Sequence, residues 1–264
     1  MTLRIATWNI NSVRLRAELV ARFLTEQSLD ILCLQEIKVA DELFPSQIFH
    51  DLGYVYQAIY GQKAYHGVAT LSRVPFEDTT RHEWWGKQES RHVHVRLAGD
   101  IGLHNFYVPA GGDDPNTDEN PKFAHKLGFL DKITAWFGNG DRPRREILAG
   151  DLNIAPLETD VWSHKALLKV VSHTPIEVEA LDNLARSRDW VDAVRRFIPP
   201  DEPLYSWWSY RAHDWSAANK GRRLDHVWVT PELAPTLLNA EVARDVRGWT
   251  KPSDHAPVIV ELDV

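Results

Sequence analysis

One short stretch of the chain places two chemically capable side chains at the end of an apolar run. An apolar segment at 147–149 leads into Gly150, and Asp151 and Asn153 follow. Side chains two positions apart on a strand point to the same face, so a carboxylate and an amide would project together from the strand end. Gly, Asp and Asn are also common in turns, and a simple turn is the alternative for this stretch alone. Similar polar positions elsewhere in the chain favour a functional site.

Other polar residues close apolar strands or open the turns that follow them. They are Asn9, Glu36, Tyr107 with Pro109, and Asp225 followed later by Ser253-Asp254-His255. Strand ends on one edge of packed sheets meet, so carboxylates distant in sequence can share one pocket. Carboxylate oxygens suit Mg²⁺, which takes one or two of them and keeps several waters. The pattern predicts a Mg²⁺ site that includes Glu36, although a strand-end Glu considered alone is often only solvated.

The pair Asp254-His255 is the most informative of these groups. It lies between Pro252 and Pro257 and precedes an apolar strand. A carboxylate can orient a histidine and keep it basic, and a histidine near a phosphate can donate a hydrogen bond or carry a proton. A zinc site is not favoured, because the only cysteine, Cys33, lies in an apolar run and no His-Glu-x-x-His motif occurs. No P-loop motif occurs either.

Apolar spacing predicts many strands and few helices around these residues. A first strand leads into Asn9, and Ser12 is expected to cap a helix whose apolar face includes Leu15, Leu19 and Phe23. Further strands are predicted at 30–35, 54–60, 66–72, 91–97 and 101–108, then into Asp151, and finally near 223–230, 239–246 and 257–263. Helices are predicted at 121–137 and between 158 and 197.

The strand at 91–97 alternates His92 and His94 with valines, which is the pattern of a half-buried strand with the histidines on its polar face. The order of elements favours an α/β fold with two packed sheets flanked by helices. No Gly/Ser-rich linker divides the chain, so residues 1–264 are expected to form a single domain.

Composition bounds the class of protein. The net charge of −7 argues against a protein that coats nucleic acid electrostatically, but it does not exclude a nucleic-acid enzyme with an acidic metal site. Basic clusters at 142–145 and 220–223 could bind phosphates or be solvated. No apolar run approaches the roughly 20 residues of a membrane span, and the N-terminus has no signal-peptide character. A single cysteine cannot form an internal disulfide, which fits a reducing compartment, so the chain is expected to be cytoplasmic.

Short motifs along the whole chain resemble a known family. Among them are Thr7-Trp8-Asn9-Ile10-Asn11, Leu34-Gln35-Glu36-Ile37-Lys38, Gly150-Asp151-Leu152-Asn153-Ile154, Tyr205-Ser206-Trp207-Trp208 and Lys251-Pro252-Ser253-Asp254-His255-Ala256-Pro257, with others at 61–63, 66–69, 107–109, 189–192 and 223–225. The chain is similar to the exonuclease III family of abasic-site endonucleases, in the endonuclease/exonuclease/phosphatase superfamily. The resemblance implies a four-layer α/β sandwich of two mixed sheets with the site at one edge.

The resemblance also implies roles for the polar residues. Catalytic roles fall to Tyr107, Asp151, Asn153, Asp225 and His255, and the candidate ligands of Mg²⁺, with Mn²⁺ as a substitute, are Asn9, Glu36, Asp151, Asn153, Asp254 and His255. Glu36 would be the principal ligand. Asp151 would activate or position water, and Asp225 would orient His255. The phosphate would contact Asn153, Tyr107 and His255.

DNA contacts are implied for Lys63, Lys122, Trp207, Arg222 and Leu224. The last three match positions that line a pocket for a base-free sugar, and Arg222 stands where relatives can carry an aromatic residue. The implied enzyme is a monomeric, Mg²⁺-dependent DNA-repair nuclease acting on duplexes with abasic sites or blocked 3′ ends, with 3′-to-5′ exonuclease and 3′-end trimming activity. One alternative keeps the site but changes the substrate to an inositol phosphate, a phospholipid head group or an RNA tail. Another is a DNA-binding module without catalysis.

Overall fold

The computed structural model describes residues 2–84, 89–140 and 142–264. The strands are β1 (Thr2–Asn9), β2 (Ile31–Gln35), β3 (Tyr56–Tyr60), β4 (Val68–Ser72), β5 (Asp78–Arg81), β6 (His92–Leu97), β7 (Ile101–Tyr107), β8 (Arg145–Asp151), β9 (Val191–Asp192), β10 (Trp207–Trp208), β11 (Gly221–Arg222), β12 (Asp225–Val229), β13 (Leu237–Val242) and β14 (Val258–Asp263). The α-helices are α1 (Val13–Gln27), α2 (Ser46–His50), α3 (Pro121–Gly138), α4 (His164–Leu167), α5 (Pro175–Arg186) and α6 (Trp215–Ala218).

These strands form two large sheets and a hairpin within the described residues. The first sheet has the order β13-β14-β1-β2-β4-β3, the second has the order β5-β6-β7-β8-β12-β9, and β10 pairs with β11. The neighbours β1 and β2 are parallel, as are β7 and β8, whereas the other pairs are antiparallel. Both sheets are therefore mixed, as predicted.

Three apolar layers hold the sandwich together. The layer between the sheets contains Ile5 and Val260 from the first sheet and Leu103 and Val227 from the second. Two outer layers lie between a sheet and its helices. Phe23 of α1 packs on the first sheet, and Phe129 of α3 packs on the second together with residues of α5. Helices therefore cover both outer faces, which confirms the predicted four-layer α/β sandwich.

Helix ends near the site are fixed by local bonds. In α3 the Asn120 side chain accepts a hydrogen bond from the Lys122 backbone N–H at 3.0 Å, and Pro121 occupies the first turn. The predicted N-cap position of Ser12 is confirmed, but no side-chain capping bond forms. Ser12 precedes α1, and its φ of 84° is left-handed. Its backbone N–H instead donates to the Glu36 carbonyl at 2.7 Å, which ties the start of α1 to the turn after β2.

Two features differ from the sequence prediction. The short strands β5, β9, β10 and β11 were not predicted, because two to four residues give too little alternation to detect. The histidines of β6 do not form a solvated face. His92 is fully buried and His94 is half-buried, because Trp84 and Trp136 cover that side of the sheet.

Among the described residues, no helix is long and apolar enough to span a membrane.

Candidate active site

The predicted polar residues meet where strand ends of the two sheets converge. In the first sheet Asn9 pairs with Gln35, the residue before Glu36. In the second sheet Asp151 pairs with Tyr107 on one side and with Asp225 on the other. Gly150 is required for this approach of β8 to β7, because a Cβ atom there would lie 2.0 Å from the Phe106 carbonyl oxygen. Residues far apart in sequence thus form one cluster.

Glu36 is held as an anion by surrounding donors. Its Oε1 accepts hydrogen bonds from Asn9 Nδ2 at 2.9 Å and from the Tyr107 hydroxyl at 2.8 Å. Its Oε2 lies 2.7 Å from Lys38 Nζ. Burial alone would raise the pKa of Glu36, but the charge of Lys38 and the donated hydrogen bonds outweigh it and hold the pKa below its usual value. With φ of 50°, Glu36 also adopts a left-handed backbone that the surrounding structure must stabilise.

Asp151 is the buried carboxylate at the centre of the cluster. Its Oδ2 accepts from Asn9 Nδ2 at 2.8 Å and from Asn153 Nδ2 at 3.2 Å, and its Oδ1 accepts from the Asn153 backbone N–H at 2.9 Å. Burial raises the pKa of Asp151 to about 7, with further upward contributions from the charges of Asp225 and Glu36, against the opposing charge of His255. A carboxylate with this pKa can gain and lose a proton near neutral pH.

His255 faces two carboxylates. Its Nδ1 lies 2.8 Å from Asp225 Oδ2, and its Nε2 lies 3.8 Å from Asp151 Oδ2. Burial would lower the pKa of His255, but Asp225 and Asp151 outweigh it and raise the pKa to about 10. Asp225 is itself fixed by the Ser206 hydroxyl, which donates to Oδ2 at 2.6 Å. The imidazole is therefore a cation with its orientation set by Asp225.

Asp254 forms the other side of the cluster. Trp207 Nε1 donates to its Oδ2 at 2.9 Å, and Asn11 Nδ2 donates to its Oδ1 at 3.1 Å. Burial opposes the charged form, but the charge of His255 and these two donors lower the pKa of Asp254. Asn11 also accepts from Lys38 Nζ at 2.7 Å, so the surroundings of Asp254 and Glu36 are connected through one side chain.

Asn153 is positioned from behind by a buried ion pair. Its Nδ2 donates to the Val108 carbonyl at 2.9 Å, and its φ is 55°. The ammonium group of Lys126 donates to the Asn153 carbonyl at 2.8 Å and lies 2.5 Å from Glu177 Oε1, with both charged side chains fully buried. Removing one partner of such a pair leaves an uncompensated charge. The left-handed turn at Asn153 is thus anchored to α3 and α5.

The donor set fits a hard divalent cation. Glu36, Asp151 and Asp254 offer carboxylate oxygens, which suit a hard cation better than a softer metal, and the amide N–H groups of Asn9 and Asn153 donate to Glu36 and Asp151 and orient them. Lys38 places an ammonium group against Glu36 Oε2, so this oxygen already accepts a cation.

Among the described residues, the group of possible ligands whose atoms all lie within 4.8 Å of one another consists of Asp151, Asp225 and His255. His255 is a cation in this group, and its Nδ1 lies 2.8 Å from Asp225 Oδ2. We therefore favour Glu36 over this group as the main candidate ligand of the metal. A role for His255 as a metal ligand stays a prediction.

The predicted DNA-contacting residues divide into two sets. Trp207 and Arg222 pair across the β10-β11 hairpin, with the guanidinium carbon 5.3 Å from the indole ring, and Leu224 is buried beside them. Lys63 and Lys122 are exposed and lie on separate surface grooves. The first groove includes Asp41, Tyr60 and Arg81, and the second includes Glu89, Asp118 and His125. Trp208 is buried and belongs to the core.

Sequence reasoning missed several residues that shape the site. Lys38 was visible as the last residue of the Gln-Glu-Ile-Lys motif, and Ser206 was visible in the Tyr-Ser-Trp-Trp motif. Their contacts with Glu36 and Asp225 depend on turns that no local pattern reveals. Lys126 and Glu177 lie 51 positions apart, and no local sequence pattern pairs them.

Comparison with known proteins identifies the family of the chain. The model of the Endonuclease/Exonuclease/phosphatase family matches residues 6–255, and the chain belongs to that family. Within it, an Exodeoxyribonuclease III of Haemophilus influenzae is 30% identical over 272 residues, covering 98% of this chain and 100% of that protein.

Two solved structures each cover 99% of this chain and 100% of their own, both with a TM-score of 0.92. One is an AP endonuclease from Archaeoglobus fulgidus, 32% identical. The other is a 3′ phosphatase from Neisseria bound to product DNA hairpin, 29% identical. The predicted fold, the resemblance to exonuclease III and the prediction of an enzyme of the nuclease class are confirmed.

Proposed function

We propose that this protein is a Mg²⁺-dependent DNA-repair nuclease. It would incise duplex DNA at abasic sites, remove nucleotides from 3′ ends and trim blocked 3′ ends. The observation that carries the proposal is the convergence of anionic Glu36, titratable Asp151 and cationic His255 at one edge of the sandwich, with Asn9 bridging the two carboxylates. The named activities of the Archaeoglobus and Neisseria relatives support the choice of substrate.

In this proposal Asp151 accepts the proton of the attacking water. Hydrolysis of a phosphodiester needs a water in line with the leaving oxygen and a group that takes its proton. Asp151 is buried and its pKa is raised to about 7, so its carboxylate is a stronger base than an exposed one. Asn153 donates to the same carboxylate and fixes its orientation.

His255 and Tyr107 would act on the phosphate as donors. The His255 cation can donate from Nε2 to a non-bridging oxygen and offset the charge that develops there. Burial and the charges of Glu36 and Asp151 raise the pKa of Tyr107 well above its usual value, so its phenol stays neutral. Its one proton is donated to Glu36 Oε1, and Tyr107 would have to exchange that bond for one to the phosphate. Asp225 holds His255 in the required orientation.

Glu36 would be the principal ligand of Mg²⁺, with Asn9 and Asp254 beside it. A bound Mg²⁺ ion would offset the growing negative charge on the phosphate and on the leaving oxygen. Lys38 would then have to give up its contact with Glu36 Oε2 or share that oxygen.

The protein would bind DNA mainly through contacts with phosphates and less through contacts with bases. Lys63 and Lys122 are exposed cations on loops and a helix start, and such residues position a duplex without reading its sequence. Trp207 and Leu224 would line a pocket for a sugar that lacks a base. Extruding such a sugar is easier than flipping a paired nucleotide, since the pairing is already lost.

A labelled duplex with one abasic site tests the proposal. We expect incision with Mg²⁺, none with a chelator, and far less on the intact duplex of the same sequence. Mn²⁺ should substitute. Turnover of an inositol phosphate or a phospholipid head group without incision of the duplex would contradict the substrate class. Metal-independent binding without turnover would indicate a DNA-binding module. A single domain, a monomeric state and a cytoplasmic location remain predictions from the sequence.

A further inference from the structure

Residues 152–155, which follow β8, form a buried turn outside the two sheets. Asn153 has a left-handed backbone in this turn, with φ of 55°, and its side chain donates to Asp151 Oδ2 and to the Val108 carbonyl. A residue other than glycine keeps such a conformation only where its surroundings hold it. The buried backbone groups of the turn also need partners, because no sheet ladder supplies them. These partners therefore decide where the Asn153 amide points.

The carbonyl groups of residues 153–155 each bond to a buried side chain. Lys126 Nζ donates to the first of them at 2.8 Å. His226 Nε2 lies 2.8 Å from the second carbonyl oxygen, and His173 Nδ1 lies 2.6 Å from the third. The three side chains come from α3, from β12 and from the loop before α5. Three separate elements thus fix three consecutive peptide groups.

The two histidines use opposite ring nitrogens for this contact. A carbonyl oxygen can only accept, so His226 donates from Nε2 and His173 donates from Nδ1. His173 Nε2 is then the acceptor in its 2.9 Å contact with His164 Nδ1. The position of the donated proton is therefore defined in both rings.

Strand β12 connects this turn to the catalytic cluster. Asp225 and His226 are consecutive in the strand, so their side chains point to opposite faces of the sheet. The Asp225 carboxylate faces the cluster and lies 2.8 Å from His255 Nδ1. His226 lies on the face of Trp228, which packs in the outer apolar layer. One strand therefore fixes both the His255 ring and the turn that carries Asn153.

We propose that His226 and His173 are positioning residues, which hold the turn so that the Asn153 amide faces the scissile phosphate. The inference rests on the proposed function and concerns the geometry of the same site. Neither histidine would touch the substrate or transfer a proton. Loss of either donor should therefore lower the rate of the chemical step and leave duplex binding largely intact, because the proposed DNA contacts lie on other residues.

Asparagine and glutamine substitutions test each donor separately. The amide nitrogen of glutamine lies close to the position of a histidine Nε2, and that of asparagine lies close to the position of Nδ1. His226→Gln therefore keeps the donor to the turn, and His226→Asn removes it. The order is reversed at the other position, where His173→Asn keeps the donor and His173→Gln displaces it. Packing alone would favour the larger glutamine at both positions.

Single-turnover rates with Mg²⁺ are measured on a duplex with an internal tetrahydrofuran analogue of an abasic site and on a duplex with a 3′-hydroxyl end. We expect His226→Asn to be slower than His226→Gln, and His173→Gln to be slower than His173→Asn, by about 10- to 100-fold, the loss that a misplacement of about 1 Å can cause. The Kd for the duplex should differ little within each pair.

A double variant tests whether His226 acts through Asn153. Asn153→Ala removes the amide that the turn positions, so adding His226→Asn to it should lower the rate by less than about 3-fold. His50→Asn is the matched control, because His50 is exposed at the end of α2, in the helix layer of the first sheet. Its rate and Kd should equal those of the wild type.

Several results would overturn the inference while the proposed function stands. They are equal rates for the two amides at each position, faster turnover with glutamine at both positions, and losses that add fully in the double variant. The His173 pair decides by itself if a His226 variant does not fold. Failure of the wild type on both duplexes would overturn the inference and the proposed function together.

Discussion

Histidine and carboxylate side chains are buried together in two regions that border the second sheet. At the edge between the sheets, His255 contacts Asp225 at 2.8 Å and faces Asp151 at 3.8 Å. On the face covered by α3, His104 lies 3.1 Å from His92 and 3.4 Å from Glu146. All of these side chains are buried. The residue types are thus the same in both regions, and their surroundings differ.

The surroundings give the two regions opposite protonation states. Carboxylates outnumber cations around His255, and its pKa rises to about 10 despite burial. Burial, His94 and the nearby guanidinium groups hold the pKa of His104 well below its usual value. Glu146 does not reverse this, because it is already paired with Arg188 at 3.1 Å and with Arg142 at 3.5 Å. One region holds a proton-donating cation and the other holds neutral rings.

The contrast shows that a buried histidine and carboxylate do not by themselves make a reactive site. At the edge, Asp151 and Asp225 lie close together with His255 between them, and two neighbouring carboxylates have a cost in stability. On the covered face, Glu146 is paired with Arg142 and Arg188. The His104 ring packs against Trp136 and Phe137, with centroid distances of 5.5 Å and 5.2 Å. We therefore expect substitutions at the edge to change activity and those on the covered face to change stability.

The largest effect is expected from Asp151→Asn. The amide keeps the shape but removes the base, so turnover should fall by roughly 10²- to 10⁴-fold. Duplex binding should persist or tighten, because a negative charge that faces the phosphate is lost. The Tm should be unchanged or higher. Single-turnover incision of an abasic duplex and a binding titration with the same duplex check this. Near-normal incision by this variant would contradict a catalytic role for Asp151 and would favour the alternative that residues 150–153 are only a turn.

Glu36→Gln should separate metal binding from base catalysis at the same edge. Loss of a ligand charge should raise the Mg²⁺ concentration for half-maximal activity by at least about 10-fold, the lower end of what loss of an outer ligand partner costs. Activity should return at high Mg²⁺ or with Mn²⁺, whereas Asp151→Asn should not be rescued. A metal titration of both variants gives the answer. Rescue of Asp151→Asn alone would reverse the two roles.

Glu146→Gln tests the covered face. The substitution leaves Arg142 and Arg188 without their shared anion, so the free energy of unfolding should fall by about 1–3 kcal/mol. Incision by the folded variant should be unchanged. Glu158→Gln is the matched control, because Glu158 is exposed and should change stability by no more than about 0.5 kcal/mol. Urea unfolding measures both. A loss of incision without a loss of stability would contradict the division between the regions.

The sequence predicts the residues at the edge between the sheets better than the burial of the histidines on the covered face. Glu36, Asp151 and His255 were found because each directly follows or precedes an apolar strand, and strand ends must meet at the edge of a sandwich. The contact of Lys38 with Glu36 was not found, because both residues adopt left-handed conformations that no strand pattern predicts. His92 was placed on a polar face, since alternation gives the side of a strand but not the helix that covers it.

The smallest effect is expected in the acid stability of the covered face. Burial lowers the pKa of both His92 and His104 well below 6.5, with contributions from neighbouring cationic groups. The charged and titratable groups that face His104 are His92 and His94 on β6, Glu146 on β8, His82 after β5, Arg142 before β8 and Arg188 after α5. Below pH 6.5 these histidines therefore become protonated in the unfolded chain, whereas they stay neutral in the folded protein. Stability should fall there by up to about 1.4 kcal/mol per pH unit for each ring.

His104→Gln removes one of these rings and should make the decline less steep. Urea unfolding at pH 7.5, 6.5 and 5.5 compares it with the wild type and with His92→Gln. Each variant should lose stability at pH 7.5 through lost packing, and that deficit should shrink by roughly 1 kcal/mol at pH 5.5, because one fewer proton is taken up on unfolding. A deficit that stays constant with pH in both variants would mean that these histidines titrate alike in the folded and unfolded chain. The electrostatic contrast with His255 would then be wrong.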